Sequence, residues 1–241
     1  MTLLIPTTDL AGIVLNPKGH DFMAKNTAAF FDFDGTLYKG VIAFDFLSYC
    51  LLNGHLSLSE CMNLPGFFYC YLVDKMKISE RYKINRKIYS KVKGWNAERL
   101  LKVSKEFAKK TVEKRLIPET LEALKKHKKE GHKVVIVTSA LKEFILPVKK
   151  LLDIDEVFGT EVEIDNGKYN GNIISLPVSE NRAKIVSDFC RSKNLDPDLC
   201  YAYSDHFSDI SMLDFVGNPV AVYPDRKLRQ YALKNEWKII S

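Results

Sequence analysis

The 241-residue chain has only five cysteines and two tryptophans, and no long apolar run. Cys50, Cys61, Cys70, Cys190 and Cys200 form no CxxC pair and leave an odd count. That argues against a disulfide framework and a zinc site, and it predicts a reducing, cytoplasmic setting. No stretch reaches the ~18 consecutive apolar residues of a membrane-spanning helix. Residues 1–9 have no basic flank and no small-residue cleavage site, which predicts no secretory leader. Internal repeats and low-complexity segments are absent as well.

What is present suits one core domain carrying a smaller insert. Apolar residues make up 46% and charged residues 27%, enough to bury a core. The net charge of +6 is unevenly placed: residues 75–133 hold 20 Lys and Arg against 7 Asp and Glu. A basic middle third can steer an anionic ligand or lie on an anionic membrane, so peripheral membrane contact stays open; no nucleic-acid partner is expected. Solvated lysines on long helices explain the same run about equally well.

Residues 1–25 read as an arm. The apolar, β-prone run 28–33 predicts a buried strand, ended by Gly35. From 44 to 115 helical spacing dominates, as in Leu100, Val103 and Phe107, which predicts an all-helical insert. Further elements are expected as helices at 118–130, 141–152, 180–193 and 208–215, and strands at 133–138, 200–203 and 219–223. Strands at 160–164 and 168–174 flank Asn166-Gly167, a strong hairpin signal. Alternating strands and helices around a helical insert predict an α/β fold. Its Rossmann-like parallel sheet core has helices on both faces, with domains at 26–43 plus 116–241 and a cap at 44–115.

Two constellations carry chemistry. Asp32-Phe33-Asp34-Gly35-Thr36 follows the first strand directly. Two carboxylates at a strand end are costly to bury, and in a parallel sheet ligands bind at the carboxyl ends of strands. One can act as nucleophile and the other as proton donor, with a cation reducing their repulsion. The second is Ser204-Asp205-His206-Phe207-Ser208-Asp209, where Asp205 can complete a hard-cation site with Asp32. Spacing by four would put Asp205 and Asp209 on one side of a helical turn. Capping of the helix near Ser208 is the plain alternative for Asp209.

These residues resemble the haloacid dehalogenase superfamily, in its phosphoserine-phosphatase-like branch. Its DxDGT motif matches 32–36; its strand-terminal Ser/Thr matches Thr138, and its acidic pair matches Asp205 and Asp209. Arg182 and Lys184 compete for the motif's basic residue. Arg182 leans toward the buried face marked by Ile185, Val186 and Phe189, and it lies 23 residues before Asp205, so it is favoured. The resemblance implies a Mg²⁺-dependent phosphatase of a small phosphorylated metabolite: Asp32 the nucleophile, Asp34 the acid and base, and Thr138, Ser139 and Arg182 around the phosphoryl group. It implies Mg²⁺ at Asp32, Asp34 (through its carbonyl) and Asp205, with Asp209 orienting the metal's waters. Asp34 argues against the dehalogenase branch. Val41 stands where serine phosphatases carry an amine-binding Glu, which argues against phosphoserine; His206 stands where they usually carry Gly. The apolar segment 64–73 suits either cap core or the lining of a site for phospholipid-like esters. A phosphotransferase uses the same residues; a non-catalytic phosphate binder has no need of Asp34.

Overall fold

The structure, a computed structural model, describes residues 26–56 and 81–241. The arm at 1–25 and the segment 64–73 lie outside the described residues. A seven-stranded sheet has the order β4-β3-β2-β1-β5-β6-β7. Its strands are β1 (Ala28–Phe31), β2 (Lys133–Leu141), β3 (Glu156–Asp165), β4 (Lys168–Ser175), β5 (Tyr201–Ser204), β6 (Asn218–Val222) and β7 (Lys238–Ile240). All pairs are parallel except β3 with β4.

β1 is central and fully buried. Its side chains alternate between two cores: Ala29 and Phe31 enter one, Ala28 and Phe30 the other. Phe31 stacks on Tyr203 at 4.3 Å, and Phe30 meets Phe189 edge-on at 5.8 Å. A small-large alternation on each face is what a strand needs when helices cover both sides. β1 pairs with β2 on one side and β5 on the other, so the chain reverses its order of winding there. The crevice at such a switch point is the natural ligand site.

The helices are α1 (Ile42–Leu52), α2 (Arg81–Ser90), α3 (Ala97–Phe107), α4 (Pro118–Lys129), α5 (Lys142–Leu152), α6 (Glu180–Lys193), α7 (Ile210–Leu213) and α8 (Arg226–Lys234). Local chemistry sets several ends. Pro118 opens α4, Asn96 caps α3 by accepting from Arg99 N at 2.8 Å, and Asn194 ends α6 with φ 52°. Every described regular segment between 42 and 115 is helical. Tyr38 bridges Leu116, and Lys39 N donates to Arg115 O at 2.8 Å, so the insert's entry and exit run side by side. Within it, Phe46 packs on Phe107 and on Phe144 of α5, and the same apolar cluster continues to Phe31. The described insert helices therefore share one core with that face of the sheet.

The Asn166-Gly167 turn has φ 47° and 75°, and it joins β3 to β4 as the sequence signal required. Other expectations need correction. β2 runs on to Leu141, past a register shift against β3, and β3 starts at Glu156. The segment expected as one helix at 208–215 is a 3₁₀ turn, Phe207–Asp209, followed by the single-turn α7. Asp205 precedes both, so the four-residue helical spacing does not relate it to Asp209. α8 and β7 have no counterpart in the sequence reading. α8 is capped by Asp225, which accepts from Leu228 N at 2.8 Å, and β7 is a three-residue edge strand.

Candidate active site

β1 ends where Asp32 N donates to Tyr203 O at 2.9 Å, the last ladder bond on that side. The chain then turns on itself. Phe33 O accepts from Leu37 N and Tyr38 N, both at 2.9 Å. Gly35 sits at φ 79°, and a Cβ there would lie 2.1 Å from Asp205 Oδ2. Only glycine satisfies both the left-handed backbone and the close approach of that carboxylate. Asp34 Oδ1 accepts from Ile42 N at 2.8 Å. It thereby serves one of the orphan donors of α1, whose own N-cap, Val41, makes no side-chain bond.

Arg182, in the first turn of α6, is 4% exposed, whereas Lys184 faces solvent. Its Nη1 lies 2.9 Å from Asp32 Oδ1 and 2.9 Å from Asp209 Oδ2, and its Nε donates to Pro177 O at 3.2 Å. Nη1 is thus shared between the two carboxylates as a charged contact. Asp209 also accepts from Ser204 Oγ at 2.6 Å and Ser208 Oγ at 3.1 Å. Thr138 is buried and accepts from Ala140 N at 3.1 Å. Ser139 O accepts from Thr160 Oγ1 at 2.7 Å and from Tyr89 OH, which reaches in from α2. His206 Nδ1 accepts from Ser208 N at 3.1 Å, and its Nε2 lies 3.2 Å from Asp225 Oδ2.

Asp32, Asp34, Thr138, Ser139, Arg182, Asp205 and Asp209 all border one cavity of about 490 Å³. The rest of its lining includes Val41 and Ala43, on either side of the Ile42 that holds Asp34, and Asn85, Ile88 and Tyr89 of α2. Asn85 and Tyr89 were not singled out in the sequence, because a helical repeat does not say which face meets a cleft 50 residues away in sequence. Four carboxylates face one buried guanidinium here. Burial pushes Asp32 up to about 6, with Arg182 opposing and Asp209 adding to it. Burial pushes Asp34 to about 8 against the Ile42 N–H. Asp205 is raised to about 8 by burial and by the charges of Asp32 and Asp209.

An all-oxygen, anionic donor set is what a hard divalent cation takes. Asp32, the Asp34 carbonyl and Asp205 have the right chemistry for Mg²⁺. Among the described residues, no three carboxylates of this group converge within 4.8 Å of one another. Asp209 is held by Arg182 and two serines.

A central parallel strand ending in paired acids, beside a buried arginine and a β2 threonine, has the make-up of an α/β enzyme site at the switch point of the sheet. The family model for haloacid dehalogenase-like hydrolases matches residues 29–214, and the chain belongs to that family. It is 27% identical to the "Inhibition of morphological differentiation protein" of Streptomyces azureus, across 89% of this chain and 78% of that one. It is 26% identical to "Phosphoserine phosphatase SerB1" of Mycobacterium tuberculosis, across 88% of this chain and 70% of that one. A solved structure from Bordetella pertussis Tohama I, titled as a protein with unknown function, superposes with a TM-score of 0.77 at 19% identity, covering 90% of this chain and 98% of that one.

Two outcomes follow from the crowding of charge. The raised carboxyls bind protons more tightly folded than unfolded, where the ordinary value is 3.8. Their contribution to stability is therefore full below that value and is lost as pH rises through about 6 to about 8. Calorimetry of the metal-stripped protein should show Tm falling between about pH 5 and pH 8, with Mg²⁺ restoring more at the higher pH. A Tm that climbs across this range would contradict it. Gly35→Ala should destabilise by at least about 1 kcal/mol in urea melts and weaken Mg²⁺ binding. Wild-type values for both would mean that the turn tolerates a side chain.

Proposed function

We propose that the chain is a cytoplasmic Mg²⁺-dependent phosphatase that hydrolyses a small phosphate monoester through an aspartyl-phosphate, with the helical insert as its cap. The observation that carries this is the pairing of Asp32 and Asp34 at the end of β1 with the buried Arg182, all bordering one cavity. The relative named phosphoserine phosphatase supports the reaction class. The buried thiols of Cys50, Cys190 and Cys200 suit a reducing setting. Among the described residues, no helix is long and apolar enough to cross a membrane.

Asp32 Oδ1 is engaged by Arg182, which keeps the carboxylate oriented and partly neutralised. Attack of an Asp32 oxygen on phosphorus forms one P–O bond as the ester P–O bond breaks. Asp34, held protonated near neutral pH by burial, gives its proton to the departing alkoxide. As a carboxylate it then takes a proton from the water that attacks the acyl phosphate, which releases phosphate and restores Asp32. Arg182 and Thr138 face the phosphoryl oxygens from the α6 and β2 sides. When bound, Mg²⁺ would neutralise charge on the phosphoryl group. A purely binding role leaves a buried, protonated Asp34 without a task.

The substrate side of the cavity narrows the ester. Val41, Ala43 and Ile88 supply apolar wall, and Val41 stands where the serine phosphatases the chain resembles carry their amine-binding Glu. A substrate ammonium placed there would lack that carboxylate, which is costly. The preferred leaving group therefore lacks an amine next to the phosphate. Esters of phospholipid type are a finer reading that depends on the segment 64–73.

Asp32→Asn should remove turnover of an aryl phosphate by several orders of magnitude; near-normal turnover would reject the nucleophile assignment. Arg182→Ala should lower kcat/KM by about 10²-fold or more while Lys184→Ala leaves it close to wild type. The reverse order would mean that the solvent-facing lysine is the phosphate ligand. In a panel of esters, L-phosphoserine should show no advantage over amine-free esters of similar size. A strong preference for it would place an amine partner elsewhere in the cap.

A further inference from the structure

His127, Glu130 and His132 gather at the opposite, amino-terminal edge of the sheet, far from the chemistry of the cavity. Among the described residues, they form the one group whose donor atoms all lie within 4.8 Å of one another. The turn between α4 and β2 builds it. Gly131, at φ 78°, reverses the chain, and His132 N donates to His127 O at 3.0 Å, which brings the second imidazole under the first. We propose that this cluster is a second metal site, selective for a borderline transition ion such as Zn²⁺ and distinct in ligand chemistry from the Mg²⁺ pocket.

Four observations support it. The two Nδ1 atoms face each other at 2.8 Å. Two nitrogens on a tetrahedral zinc stand about 3.3 Å apart, given Zn–N bonds of about 2.0–2.1 Å, so a slight opening of the pair admits the ion. Glu130 Oε2 lies 3.9 Å from His132 Nδ1 and is the third donor, with water left to fill the fourth position.

His127 is also oriented as metal-binding histidines are. Its other nitrogen, Nε2, meets Tyr203 OH at 2.8 Å, inside a collar of Phe31, Tyr201 and Tyr203. A hydrogen-bond partner on the distal nitrogen orients the ring; on ligation the proton shared between the two Nδ1 atoms moves to Nε2 of the ring that carries it, and both Nδ1 lone pairs turn to the ion. His132 is stacked on Tyr201, so both rings are placed before any ion arrives.

Lys126 and Lys238 stand near the imidazole pair. The flanking lysines oppose a dication, and Lys126 also pairs with Glu130 at 3.8 Å. They set a modest affinity. The preference for nitrogen ligands separates this site from the carboxylate pocket, where Mg²⁺ is favoured.

The test uses the full chain, stripped with a chelator and returned to saturating Mg²⁺ so that the carboxylates are occupied. Zn²⁺ is titrated by calorimetry and Co²⁺ by visible absorption. Wild type should take up one further ion with nitrogen-type cobalt bands. His132→Ala, a substitution at a partly exposed position, should abolish that event while Mg²⁺-dependent turnover stays near wild type. Tyr203→Phe keeps the stacking ring and should weaken the event by about 10–100-fold. No extra ion in wild type, or identical titrations for wild type and His132→Ala, would overturn the proposal.

Discussion

The contact on which the site depends is the buried guanidinium of Arg182 between Asp32 and Asp209. Each carboxylate is 2.9 Å from the same Nη1, and all three residues are almost fully buried. Removing one partner of such a cluster leaves an uncompensated buried charge, which is far costlier than losing a surface ion pair. The fold supplies the rigidity this needs. β1 ends Asp32 on the sheet axis, Ser204 and Ser208 fix Asp209, and Pro177 O orients the Nε of Arg182. Burial, with a smaller contribution from the charge of Asp32, raises the Asp34 carboxyl, and the excess of negative charge that remains suits a cation.

The insert matters because it closes the cavity with groups of a different kind. Tyr89 OH bonds to Ser139 O, next to Thr138, so α2 is tied to β2 at the cavity. The apolar lining of the cavity, Val41, Ala43 and Ile88, includes the two neighbours of Ile42, whose N–H holds Asp34, so hydrocarbon and charge meet within one cavity.

Much of this was legible in the sequence because the information was local. A β-prone run followed by DxDGT places two acids at a strand end, and Asn166-Gly167 can hardly be anything but a tight hairpin turn. The burial of Arg182 over Lys184 followed from the helix face marked by Val186 and Phe189. What was not legible depended on long-range packing. Whether β2 stops at Thr138 or runs to Leu141 is set by pairing with β3, and Asn85 and Tyr89 face the cavity only because of how α2 docks. The partners of Asp209 are spread from Arg182 to Ser208. The His127–His132 pair was not legible because the turn at Gly131 and packing on Tyr201 and Tyr203, from a distant strand, bring the two imidazoles together.

The central claim is that Asp32 becomes covalently phosphorylated during turnover. Rapid acid quench of the enzyme with a ³²P-labelled ester, followed by peptide mapping, tests it most directly. The account predicts a transient, hydroxylamine-sensitive acyl phosphate on the peptide carrying Asp32, formed at least as fast as phosphate is released. Steady turnover with no labelled protein at any quench time, or label confined to a peptide without Asp32, would contradict it.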